Sequence, residues 1–113
     1  MRHEKGPALD AAERALANSS SAQIRFLAAR IFVEAGDIAR ARELSTVLAS
    51  ELQAEPQSYA KLIEGDIAFR NKDPRDAIKL FVEANTLLDT WISRFDLGRA
   101  YLQADAFMFA RSW

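Results

Sequence analysis

Cysteine is absent from the 113 residues, which removes a disulfide framework, a thiol nucleophile and a thiolate zinc site together. Histidine occurs once, as His3 in a charged opening stretch. A lone imidazole without clustered carboxylates is a poor metal ligand, so neither metal nor cofactor is expected. Charge of one sign is lacking too: 15 basic against 16 acidic side chains leave a net charge of −1, which offers no general field to nucleic acid or to an anionic membrane. No stretch approaches the roughly 18 continuous apolar residues of a membrane span, and the opening MRHEKGPALD has no signal-peptide core, so a cytoplasmic location is expected. Only 4 Gly and 3 Pro punctuate the chain. The glycines stand singly at positions 6, 36, 65 and 98, which excludes a phosphate-cradling loop and favours helices.

Catalysis is not expected either. Ser19, Ser20 and Ser21 read as a loop, because no base and no strand–turn–helix context accompanies them. Glu64 and Asp66 project about 200° apart on a helix and do not face one another.

Half of the residues are hydrophobic, and their spacing is helical almost throughout. The chain is organised around Lys61 to Ala84, where two amphipathic patterns meet at Asn71-Lys72-Asp73-Pro74. Asp73 suits an N-cap and Pro74 a first helical position, where no backbone donor is needed. Gly65, Ala68, Ala77 and Ala84 are small where two helices must cross closely, and Phe81 is large enough to fill the gap beside them. Upstream, residues 1–7 read as a flexible tail, followed by a leading helix over about Ala8 to Ala17. A helix over Ala22 to Ala35 carries the stripe Ile24, Leu27, Ala28, Ile31 and Ala35, with Phe26, Phe32 and Val33 off it. Gly36 stops that helix and Asp37 caps the next, Ile38 to Gln53, with Ile38, Ala41, Leu44, Val47, Leu48 and Leu52 inward. Glu55-Pro56 starts the central hairpin. Downstream, Trp91 to Ala104 repeats the two-sided pattern, and a final segment, Phe107 to Trp113, is too short to finish a hairpin.

Spacing shows internal repetition. Ala29 to Gly65 and Ala41 to Ala77 are 36 positions; Gly65 to Gly98 and Ala77 to Ala110 are 33. With Leu97, Gly98, Tyr101 and Ala110 in one copy, Gly65, Ala77, Phe81 and Ala84 in another, and Ala29, Phe32, Gly36, Ala41 and Pro56 in the first, the chain resembles the tetratricopeptide repeat (TPR) family. That family's pattern is W-x2-L-G-x2-Y, A-x3-F, then P. This chain departs from it where Glu64 replaces Leu, Ala68 replaces Tyr, Ser45 replaces Phe, and no copy opens on Trp. The stretch from Leu88 to Ala104 also looks like parts of bacterial repeat regions attached to regulatory proteins.

The resemblance implies an all-α fold, a right-handed α-α superhelix of about three hairpins, in one domain over residues 8–113. The repeats fall at about 22–55, 56–89 and an incomplete 91–113. It implies a protein–protein interaction module whose first helices line a concave groove for a peptide or protein segment. Carried over by position, the lining is Phe26, Arg30, Val33 and Glu34; Tyr59, Leu62, Asp66, Phe69 and Arg70; and Ile92, Phe95, Arg99, Leu102 and Gln103. Arg30 and Arg99 are then placed on the ligand side, outside the packing seams, and Gly98 against the preceding hairpin. The basic clamp that some members use for chaperone tails is not matched, since of Phe26, Arg30, Ile63, Ile92 and Asp96 only Arg30 could serve. A different reading is a structural or oligomerisation domain of a larger regulatory protein, with no groove ligand. The two part over Phe26, Leu62, Phe69 and Phe95, which a binding groove leaves partly exposed and a spacer buries. Phe107, Phe109 and Trp113 crowd the end, and one seam cannot bury all of that surface. A homodimer through the C-terminal hairpin is therefore expected.

Overall fold

The described residues form six helices: α1 (Gly6–Asn18), α2 (Ala22–Ala35), α3 (Ile38–Ala49), α4 (Ala54–Arg70), α5 (Pro74–Leu87) and α6 (Trp91–Arg111). The computed structural model describes the backbone of residues 6–111 and the side chains of residues 6–106. His3 lies outside that range, and Gly6 and Pro7, expected in the tail, already belong to α1. The described chain is all-α.

Several boundaries have a chemical cause. Ser21, read from the sequence only as loop, accepts the Ile24 amide at 3.2 Å and caps α2. Gly36, at φ 90°, ends α2 in the left-handed region that a side chain would resist, and the Asp37 amide returns to the Phe32 carbonyl at 2.8 Å. Asp37 and Asp73 accept the amides of Arg40 and Asp76, which starts α3 and α5. Thr90 and Ser93 satisfy one another's amides in a reciprocal box at the head of α6.

Two helix ends differ from the sequence reading. α3 stops at Ala49 rather than Gln53, because the Ser50 hydroxyl donates to the Val47 carbonyl at 2.7 Å and Gln57 ties down the Glu51 carbonyl. Leu52 is then outside the helix and 93% exposed, and Val47 faces outward as well. α4 begins at Ala54 and carries Pro56 in its first turn. At the other end, α6 runs unbroken to Arg111 through Asp105 and Ala106, neither of which stops a helix. Ala110 therefore lies on the same helix as Gly98. Among the described residues there is no second helix for a third hairpin, and the expected hairpin–hairpin dimer contact has no described counterpart.

α4 occupies the centre and touches α2, α3, α5 and α6. It is buried on most sides, including Ser58, Leu62, Ile63, Gly65 and Ile67. At Gly65 a Cβ would fall within 3.0 Å of the Phe81 ring, so the absence of a side chain there is what admits α5. Phe26, Phe32, Leu48, Leu62, Ile63 and Phe81 are the largest fully buried apolar side chains among the described residues. α6 seats on the preceding hairpin through Ser93, Asp96 and Ala100, all buried, with the Ser93 hydroxyl donating to Asn85 Oδ1 at 2.6 Å. Gly98 is not part of that seat: it is exposed, with open space where a Cβ would go.

Candidate functional site

The side of α4 that lies between α2 and α6 is organised by two buried carboxylates. Asp96 on α6 is fully buried and Asp66 on α4 is 1% exposed, so each needs a compensating charge. Arg30 supplies it to Asp96 as a fork, Nη1 to Oδ2 at 3.0 Å and Nη2 to Oδ1 at 3.5 Å, reaching from α2 to α6 past α4. Arg99 Nη2 donates to Asp96 Oδ1 at 2.9 Å and to Asp66 Oδ1 at 3.5 Å, and Arg70 Nε lies 3.5 Å from the same Asp66 oxygen. Burial is the largest influence on Arg30 and works against its charge. The hydrogen bond and charge of Asp96, with Asp66 and Glu34 beyond, outweigh it and hold the Arg30 pKa above its ordinary value. Aromatic faces line the layer: the Arg99 guanidinium carbon is 4.4 Å from the Phe69 ring centre, and that of Arg30 is 5.4 Å from Phe26.

Several residues expected to line an open groove are consumed by this packing. Phe26 stacks on Tyr59 with ring centres 4.4 Å apart, and Val33, Leu62 and Asp66 are buried. Arg30 and Arg99 belong to the carboxylate layer rather than standing free on a ligand side. Glu34, Arg70, Phe95 and Leu102 are exposed, while Phe69, Ile92 and Gln103 are half-buried. The four side chains that were to separate a groove from a spacer divide: Phe26 and Leu62 are buried, Phe69 is half-buried and Phe95 is 59% exposed.

What remains open is a cleft of about 230 Å³ between α2 and α6, lined by Phe26, Leu27, Arg30, Trp91, Ile92, Phe95 and Asp96. Leu27 and Trp91 were not among the expected lining. Leu27 was placed on the inward stripe of α2, but that helix buries Phe26, Ala29, Phe32 and Val33, and Leu27 is half exposed. The sequence signal for the site was Asp96 itself. It occupies the position 33 residues after Ile63, where an ionised group in an apolar seam demands a partner. A second cleft, of about 380 Å³, lies among α3, α4 and α5, where Lys61 and Glu64 are already paired with Glu83 and Arg42.

Among the described residues no group of three acidic, His or Cys side chains could hold a metal ion. No described helix is long and apolar enough to cross a membrane. The side chains of Phe107 and Phe109, and Trp113 altogether, lie outside the described residues. Comparison with protein-family models, curated proteins and solved structures returned no match.

Proposed function

We propose that this chain is a TPR-like stack of helical hairpins, right-handed as in that family, that works in the cytoplasm as a protein–protein interaction module. Its ligand site is the cleft between α2 and α6, which takes an apolar side chain of a partner segment. One observation carries the reading: Leu27, Trp91 and Phe95, three large apolar side chains more than half exposed, converge on the cleft beside the polar wall of Arg30 and Asp96. Large apolar anchors entering such pockets supply most of the affinity of small interfaces. The repeat reading draws support from Gly65, which admits Phe81 as the small positions of a close hairpin crossing require.

The second reading, a structural domain without a groove ligand, is favoured by the burial of Phe26 and Leu62 and by the saturation of both carboxylates by the chain's own arginines. Affinity capture from the source cells separates the two. Proteins retained by the wild type and by Val82→Glu, an exposed change on α5, but lost with Leu27→Glu support the cleft. Equal retention by all three chains removes it.

A further inference from the structure

α6 repeats α4 at an offset of 33 residues, and the two helices use the same face to sit on what precedes them. Ala60 on α4 accepts a hydrogen bond from Ser45 on α3; Ser93, 33 positions later, donates to Asn85 on α5. The opposite face is where they differ. On α4 it is covered by α5: Leu62 is fully buried, Gly65 lies under the Phe81 ring, and Lys61 pairs with Glu83 at 2.9 Å. The corresponding positions on α6 are Phe95, Gly98 and Arg94, and all three are exposed.

We infer that this face of α6 docks an amphipathic helix with the surface of α5. Such a helix carries a large apolar side chain over Gly98, small residues four positions before and three after it, as Ala77 and Ala84 flank Phe81, and an acidic residue two positions after it, as Glu83 does. The acid meets Arg94, whose present partners are both at the surface: Asp89 at 3.2 Å, with both side chains more than half exposed, and the Thr90 carbonyl at 3.5 Å. Apolar complementarity comes from Phe95 and Leu102, 59% and 71% exposed on either side of Gly98. Trp91 marks a difference from the template. Its counterpart Ser58 lets α5 approach closely enough to bond the Ala84 carbonyl at 3.1 Å, whereas an indole holds a partner off at that end. The contact is thereby centred on Gly98. This inference shares with the proposed function the repeat register and two residues of the cleft, Phe95 and Trp91, but not the opposite cleft wall of Leu27 and Arg30.

The probe is a peptide of residues 73–88 of this chain, held helical by a staple between positions 75 and 79, which face solvent on α5. The protein carries Trp113→Phe, so that Trp91, at the rim of the face, is its single tryptophan and is excited selectively above the tyrosine absorption. The expected result is a saturable blue shift of Trp91 emission, weakened about tenfold or more when the peptide carries Phe81→Ala, since the anchor side chain is lost. Gly98→Leu in the protein is expected to abolish the shift. Arg94→Glu is expected to weaken it, with recovery when the peptide carries Glu83→Arg. Leu27→Glu is expected to leave it unchanged, which separates this face from the cleft. A flat titration overturns the inference. So does a wild type that light scattering shows to be a dimer, that Leu102→Glu returns to monomer, and that the peptide does not dissociate, because a second copy is then the occupant.

Discussion

α4 and α6 begin from the same register, and only one of them is enclosed. α4 has a helix on each side and buries Leu62, Gly65 and Ala68, whereas α6 leaves Phe95, Gly98 and Tyr101 at the same offsets in water. The comparison separates two duties that a repeat helix combines. Seating on the preceding hairpin is done by Ser93, Asp96 and Ala100; covering by a following helix is a distinct contact, and α6 is held without it. Its extra hold comes from charge. Ile63 on α4 becomes Asp96 on α6, and the carboxylate recruits Arg30 from 66 residues away.

Removing that hold is the largest way to break the comparison. Arg30→Ala with Arg99→Ala leaves Asp96 buried without either cation and Asp66 with Arg70 alone, and is expected to lower stability by about 3–5 kcal/mol in urea unfolding. The sequence reading, which placed both arginines outside the packing seams, implied almost no change. A double variant with wild-type stability would show that α6 is seated by apolar contact only.

The matched apolar pair sharpens the contrast. Leu62→Ala is expected to cost about 2–5 kcal/mol, as for other fully buried aliphatic side chains. Phe95→Ala, at the equivalent place on α6, is expected to stay within about 0.5 kcal/mol, as for other exposed sites. Similar losses at both positions would mean that α6 is covered in solution. Asp73→Ala removes the cap of the helix that does the covering, at about 0.5–2 kcal/mol of stability, read from the same unfolding curves.

The smallest expected effect is with pH. Tyr59 is pushed above the ordinary tyrosine pKa, first by burial and then by its hydrogen bond to Glu55 at 3.1 Å. The unfolded chain therefore releases that proton at lower pH than the folded one. Stability from this group is complete below the ordinary value of about 10 and is lost as pH climbs through the raised one. Tyr59→Phe is expected to flatten the alkaline limb of a stability–pH curve.

Helix boundaries were legible wherever a single residue dictates backbone geometry. Asp37, Asp73 with Pro74, and Gly36 act within four residues of themselves and sit where their spacing placed them. The end of α3 was not, because it depends on Ser50 and Gln57 bonding to carbonyls rather than on a breaker. The course of α6 past Ala104 was misread for another reason. Repetition suggested a turn there, but Asp105 and Ala106 supply no local cause for one. For the candidate site, Phe26 was placed on the correct helix, yet its burial depends on α2 stacking it against Tyr59 of α4, which no local window reports. Asp96 is the extreme case, since its meaning lies in Arg30.

The claim that α6 is α4 without its cover is tested most directly by adding one methyl group at each of the two matched glycines and measuring unfolding free energies. Gly65→Ala drives a Cβ into the buried Phe81 ring and is expected to destabilise by about 1–3 kcal/mol, since overpacking outweighs helix propensity. Gly98→Ala meets open space in the middle of a helix and is expected to stabilise by about 0.5–1 kcal/mol. Opposite signs support the account; a loss at Gly98 matching that at Gly65 would contradict it.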